Sequence, residues 1–350
     1  ASRHQLWEVV ADSHDLPPLW RQVSRWLLSG ASPDEEGSTQ GSPKHGASAP
    51  VYFAVAFGSI DTRWVSHFLN RALDLRLPRF LFASPDLEWL LLCEDIRHSR
   101  QRLSTLLCVR FSSSSTRPLD IHDKAKFHLF PLLLSLGLDT IALDLDIFLF
   151  KDLTPRLLDT IYKSTDPSPV DVAATDHFDA NCLDAGVLFV RASDQALLWI
   201  MQYIQWMHVY PYGHFQNGLD AFLGRATTEP QMPDNIRSTP INVSYAVLRT
   251  DLEYVTLAGW AGSLQKQRHR ALLLHFTPGS SSVQLLQLFN ATARRVGEEE
   301  PDVRRLQMAK WKVLRRLHTS APRWKTPCYV GVHPTVGHLV ESGLYEELLA

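Results

Sequence analysis

The chain has 350 residues, 45% of them hydrophobic and 21% charged, with a formal net charge of -2. This is ordinary globular usage, which excludes a fibrous or wholly disordered protein, and the length suits one large α/β domain or two modest ones. Near-neutral charge with scattered basic residues removes the broad positive field that nucleic acid requires, so no nucleic-acid partner is expected and any phosphate site must be local.

No stretch reaches the roughly 18 uncharged apolar residues that span a bilayer, so no membrane span is expected. The sequence opens on Ala1 rather than Met, which leaves room for a removed leader or anchor upstream. Cys93, Cys108, Cys182 and Cys328 lack the spacing of a zinc site or a redox CxxC, and both free thiols and disulfides stay open. Two glycosylation triplets, Asn242-Val243-Ser244 and Asn290-Ala291-Thr292, would matter only in the secretory lumen.

Residues 1–29 are rich in Trp and Leu and broken at Pro17-Pro18, which predicts two helical pieces packed on the outside of the main domain. Residues 30–50 are mostly Gly, Ser, Pro, Asp and Glu; too little apolar surface is available there to offset conformational entropy, and a flexible linker is expected. From residue 51 short apolar runs alternate with amphipathic ones. The spacing predicts strands over 51–57, 79–83, 105–111 and 140–143, with helices over 61–75, 86–97 and 121–137 between them. Such βα units build a mostly parallel sheet with helices on both faces, and ligands bind at the carboxyl ends of its strands.

The second half is less regular. Strands are predicted over 170–175, 185–190, 241–245 and 271–276, forming a mixed sheet extension. A helix over 193–208 carries Leu197, Leu198, Ile200, Met201, Ile204 and Met207, an apolar density expected of a packed helix whose aromatics belong to the core. The main domain is expected over 51–295. A C-terminal helical extension follows over 296–350, where residues 301–318 alternate basic and apolar side chains in the manner of an amphipathic surface helix.

The sharpest feature is Thr140-Ile-Ala-Leu-Asp-Leu-Asp-Ile-Phe-Leu-Phe150, where Asp144 and Asp146 interrupt an apolar run. Side chains two apart in an extended chain share a face, so both carboxylates are expected to converge at the strand's carboxyl end. Two like charges in apolar company are costly unless a cation or proton joins them, and oxygen ligands favour magnesium or manganese. The plainer reading of an isolated pair is that it caps the next helix, near Asp152, or binds solvent.

Over 51–276 the sequence resembles the nucleotide-diphospho-sugar transferase family of GT-A glycosyltransferases. The residues that carry the resemblance are Lys126 on a helix, the Leu136-Gly137 turn, the apolar strand into Asp144-Leu145-Asp146, and Asp184-Ala185-Gly186-Val187-Leu188-Phe189-Val190-Arg191. The resemblance implies a GT-A type, Rossmann-like fold that moves a sugar from a nucleotide-diphosphate donor, such as a uridine-diphosphate sugar, to an acceptor glycan or glycoprotein. Characterised retaining members use manganese. By the same resemblance Ala56, Phe57 and Gly58 lie beside the nucleoside, Lys126 approaches the donor, Asp144 and Leu145 belong to the donor site, and His275 joins Asp144 and Asp146 as third metal ligand. A lumenal, Golgi location follows the same line.

Three departures stand out. The family has asparagine at the position of Asp184, and an Asp-Gln pair where this chain has Phe215-Gln216. Asp184 and Gln216 are the candidate catalytic residues facing the donor sugar, with Asp220 a possible substitute for the missing carboxylate. The glycine and lysine that follow the histidine in related enzymes give way to Thr277-Pro278-Gly279-Ser280. These changes keep open a GT-A fold retained for binding alone. A phosphatase with an Asp-x-Asp nucleophile is the other rival, opposed by the bulky Ile147-Phe148-Leu149 where such enzymes carry Gly-Thr. Asp176 and Asp179 are further candidates for a base, and the loops 210–224 and around Trp260 for acceptor contacts.

Overall fold

The structure, a computed structural model, describes residues 3–30, 49–57, 62–102, 105–110, 125–162, 169–176, 183–209, 219, 222–223, 241–249, 253–256 and 271–275. Gly58, Gln216, Phe215, Asp179, Asp220, Trp260, the second glycosylation triplet and the extension expected over 296–350 lie outside them, as does most of the expected linker.

The first half alternates as its periodicity predicts: β1 (Val51–Val55), α3 (Thr62–Asp74), β2 (Phe80–Ser84), α4 (Leu87–Ser99), β3 (Leu106–Arg110), a 3₁₀ turn (Ala125–His128) leading into α5 (Leu129–Ser135), and β4 (Thr140–Leu143). Ahead of them stand α1 (Arg3–Asp12) and α2 (Pro18–Gly30). After β4 come β5 (Ile147–Leu149), α6 (Thr154–Tyr162), β6 (Val172–Asp176), β7 (Leu183–Val190), α7 (Asp194–Val209), β8 (Tyr245–Leu248), β9 (Tyr254–Thr256) and β10 (Leu273–His275).

Seven of these strands form one sheet in the order β3-β2-β1-β4-β7-β6-β8. All neighbours run parallel except β7, which is antiparallel to both β4 and β6. The expected α/β class with a mostly parallel sheet therefore holds, and the mixed part comes from β7 together with a separate sheet β5-β10-β9. The short β5 and β9 escaped prediction because three residues are too few to show a period.

Both faces of the large sheet are covered, which is why its strands read as continuous apolar runs rather than alternating ones. Val51 and Phe53 join one core with residues of α1, α2, α5 and α7. Tyr52 and Ala54 join the other, with residues of α3, α4 and α6 and of the small sheet. The N-terminal helices contribute one face to this core: Trp7 is buried and its indole N–H donates to the Leu136 carbonyl at 2.9 Å, while Val9 on the other face of α1 is exposed. On α7, Trp199, Tyr203 and Trp206 are buried as expected, but Leu198 and Met201 are half exposed. Its apolar density therefore exceeds what the core takes up.

Two local devices aim β4 at the site. Gly137 adopts φ 74°, a left-handed conformation open to glycine. There Gly137 N–H reaches the Leu134 carbonyl at 2.9 Å and Leu138 N–H the Leu133 carbonyl at 3.1 Å, closing α5 in a Schellman turn that feeds β4. Downstream, the β6–β7 register jumps from Ala174↔Leu188 to Thr175↔Asp184, so Ala185, Gly186 and Val187 form a bulge. Bulges re-aim side chains beside functional sites.

Candidate metal centre

In the order β3-β2-β1-β4 the direction of strand succession reverses between β1 and β4, and ligands bind outside the carboxyl ends of strands at such a switch point. Asp144, Leu145 and Asp146 occupy this place. They form a turn between β4 and β5, not the pleated continuation of β4 that spacing alone predicts. Convergence survives for another reason: β10 pairs antiparallel with β5, with His275 opposite Ile147, directly after Asp146. Ligand atoms of Asp144, Asp146 and His275 all lie within 4.8 Å of one another.

Each group is held from behind. Asp144 N–H donates to the Gly186 carbonyl at 2.9 Å. Buried Lys126 donates from Nζ to Asp144 Oδ1 at 2.5 Å and to the Ala185 carbonyl at 2.8 Å. His275 Nε2 stands 3.1 Å from Asp146 Oδ1, and Nδ1 stands 3.2 Å from Asp184 Oδ2. The Nδ1 contact is within ion-pair distance but falls short of hydrogen-bond geometry, and Nδ1 is otherwise an orphaned buried atom. Asp184 itself is buried, with Oδ1 accepting from Gly186 N–H at 2.9 Å.

The electrostatics fit a cation. Burial pushes the Asp144 carboxyl up, against the pull of Lys126, and the neighbouring Asp146 charge pushes it further. Burial alone would depress the His275 imidazole, yet Asp146 and Asp184 together raise it well above its ordinary value. A neutral imidazole carries one N–H, and here both ring nitrogens face carboxylate oxygens. One lone pair must therefore point at an anion unless a second proton or a metal stands between. Two carboxylates and an imidazole are an acceptable donor set for manganese or magnesium, so the residues fit the metal. Side chains of Asp144 and Asp146 remain 32% and 15% exposed, which leaves the cluster open on one side.

The remaining candidates divide. Ala56 follows β1 at the switch point, with its N–H on the Ala83 carbonyl and its own carbonyl accepting from Ser84 Oγ; Phe57 is half-buried next to it. Leu145 turns its side chain into the core, so only its backbone faces the site. Lys126 reaches Asp144 rather than standing apart from it. Asp176 ends β6. Asp152, the plainer destination for a capping carboxylate, does cap α6, accepting from Thr154 N–H at 2.9 Å, which leaves Asp144 and Asp146 for another task. One residue given no role from sequence is Gly186: a Cβ there would lie 2.3 Å from His275 Cε1 and 2.7 Å from Nδ1. Its signal was a glycine inside an apolar strand, a mark of close approach.

No family model and no curated protein matches the sequence. Among solved structures the chain is similar to the glycosyltransferase GlyE of Streptococcus pneumoniae TIGR4, at 15% identity and a TM-score of 0.45, over 66% of this chain and 55% of that one. It thus spans little more than half of GlyE. It is also similar to a glycosyltransferase involved in the glycosylation of the major capsid of PBCV-1, at 11% identity and a TM-score of 0.42, over 69% of this chain and 98% of that one. A third is the galactosyltransferase LgtC in complex with donor and acceptor sugar analogs, at 12% identity and a TM-score of 0.42, over 69% and 95%.

Proposed function

We propose that this chain is a metal-dependent glycosyltransferase of the GT-A type, which moves a sugar from a nucleotide-diphosphate donor, a uridine-diphosphate sugar by its sequence resemblance, to an acceptor glycan or glycoprotein. The observation that carries this reading is the gathering of Asp144, Asp146 and His275 within 4.8 Å at the switch point of the sheet. Manganese or magnesium bound there would supply Lewis-acid neutralisation of the departing diphosphate. The chain's own residues orient and exclude: Lys126 fixes the Asp144 carboxylate, Leu145 and Ile147 seal the turn from below, and the end of β1 at Ala56 and Phe57 provides the wall for the nucleoside. Retention of configuration at the anomeric carbon follows the resemblance to retaining members.

A secretory, Golgi-lumen location goes with this reading. It is supported by a disulfide between Cys93 and Cys108, which an oxidising compartment favours, and by the exposed Asn242 in its glycosylation triplet. No described helix is long and apolar enough to cross a membrane.

Calorimetric titration with uridine diphosphate, with and without manganese, tests the function. Saturable heat that requires the metal and disappears in Asp146→Ala is expected, followed by metal-dependent release of uridine diphosphate from a panel of its sugars. Nucleotide binding indifferent to metal, or a covalent aspartyl phosphate at Asp144, would overturn the reading.

A further inference from the structure

Just ahead of β8 the chain gives three consecutive residues different surroundings. Val243 is 5% exposed and belongs to the core, whereas Asn242 before it is exposed. The backbone around Asn242 is pinned to α7: Ile241 N–H donates to Gln202 Oε1 at 3.0 Å, and the Asn242 carbonyl accepts from Gln195 Nε2. Ser244 is held from the side of β6. Its N–H at 3.1 Å and its hydroxyl at 2.9 Å both donate to Asp171 Oδ2, and its carbonyl accepts from Val172 N–H at 3.0 Å. The triplet Asn242-Val243-Ser244 thus keeps its asparagine in solvent while its hydroxyl is committed to a carboxylate.

We infer that Asn242 is an N-glycosylation site modified during synthesis, before Ser244 docks on Asp171. This rests on the lumenal location proposed above. The acceptor triplet requires an asparagine, a middle residue other than proline and a hydroxyl two residues on, so the transferring enzyme must reach the hydroxyl as well as the amide. In the folded chain that hydroxyl is engaged, and the segment is held at Gln195, Gln202 and Asp171 together, so it comes free only by local opening. In the transfer, a bond forms between Asn242 Nδ2 and the anomeric carbon of an oligosaccharide. The bond from that carbon to its lipid-diphosphate carrier breaks, the diphosphate leaves with the electron pair, and the amide proton passes to solvent. The attached glycan has room. β8 is the last strand of the large sheet, paired within the described residues with β6 alone, and Tyr245 at its start is 40% exposed. A bulky, solvated group beside such an edge guards it against pairing with another chain.

The full chain, sent into the secretory pathway of a eukaryotic cell by an added cleavable leader, is expected to carry a glycan on the peptide that contains Asn242. Mass spectrometry reads it, and Asn242→Gln loses it. Made without glycan and folded, the chain is expected to accept an oligosaccharide from its lipid carrier, given a solubilised oligosaccharyltransferase, on the order of 10-fold or more slowly than the reduced and alkylated chain. Only the locally opened fraction of the folded chain reacts; blocked thiols at the buried Cys93 and Cys108 keep the alkylated chain from packing, which circular dichroism checks. Asp171→Ala, which releases Ser244, is expected to speed transfer to the folded chain. A bare Asn242 in the secreted chain would overturn the site, and equal rates for folded and alkylated chains would overturn the order of events. If Asp171→Ala does not fold, that comparison of the unaltered chain still decides. The location fails in a different way: a chain recovered from its own cells without a glycan and with Cys93 and Cys108 reduced, yet glycosylated at Asn242 when the leader directs it, would overturn the lumenal reading.

Discussion

Gly186 lies against the face of the His275 ring so closely that a Cβ there would stand 2.3 Å from Cε1 and 3.0 Å from Nε2. The ring is buried and belongs to a short strand pinned to β5 and β9, so it has little room to yield. Gly186→Ala is therefore expected to displace the imidazole. Overpacking of this kind costs about 1–3 kcal/mol. The melting temperature should fall by a few degrees, and manganese affinity should fall about 10-fold or more as the imidazole leaves its place beside Asp146. Thermal unfolding and calorimetry check it; an unchanged melting point with full metal affinity would show that the ring has slack that this packing denies.

Much of this architecture was legible in the sequence because the signals were long. β4 over Thr140–Leu143 is an apolar run bounded by a Leu-Gly turn and a pair of aspartates, and the structure keeps its predicted bounds. The Asp144, Asp146 and His275 set was also readable, but for an imperfect reason: a turn and the pairing of β10 with β5 bring the groups together, not the pleat of one strand. Long-range pairing between three-residue strands leaves no periodic trace. The tie between Asp184 and His275 was illegible because it depends on a bulge whose register only the fold reveals.

Lys126 is buried and donates to both Asp144 Oδ1 and the Ala185 carbonyl. Lys126→Met keeps the apolar stem but leaves a carbonyl unsatisfied and a carboxylate without its cation. Such orphaned partners cost about 1–3 kcal/mol each, discounted here because the Asp144 side chain is 32% exposed. A lower urea midpoint is expected. In a double-mutant cycle with Asp144→Asn the coupling should be about 0.5–3 kcal/mol; additive losses would mean the ion pair is incidental.

Asp171 ties three strand ends together. Its carboxylate accepts from Arg191 at 2.5 Å after β7, from Ser193 Oγ at 3.1 Å, and from Ser244 N–H at 3.1 Å and Oγ at 2.9 Å before β8. Burial alone would raise its pKa, but the hydrogen bonds from Ser244 and Arg191 outweigh burial and hold it below the ordinary carboxylate value. A depressed folded-state pKa contributes stability above the unfolded value of about 3.9, and that stability is lost as pH falls through the folded value. Asp171→Asn should be less stable than the unaltered chain at pH 7 and the gap should narrow below about pH 4, as measured by urea midpoints across that range. A gap that widens in acid would contradict the sign.

The disulfide between Cys93 on α4 and Cys108 on β3 closes a loop of sequence separation 15. In the chain-entropy account, a closure of that length restricts the unfolded ensemble by about 3 kcal/mol. Both sulfurs sit in a filled core, Cys93 fully buried and Cys108 nearly so, and Cys108 lies beside β2 at the register Phe82↔Cys108. Replacing both with alanine therefore removes the cross-link and leaves a small void as well. The double alanine variant is expected to unfold at a lower urea concentration than the oxidised protein. Reduction of the unaltered chain should cost less than the substitution does, because the thiols still fill the space. Equal midpoints for oxidised, reduced and alanine forms would mean that the cross-link adds nothing to a sheet edge already held by packing.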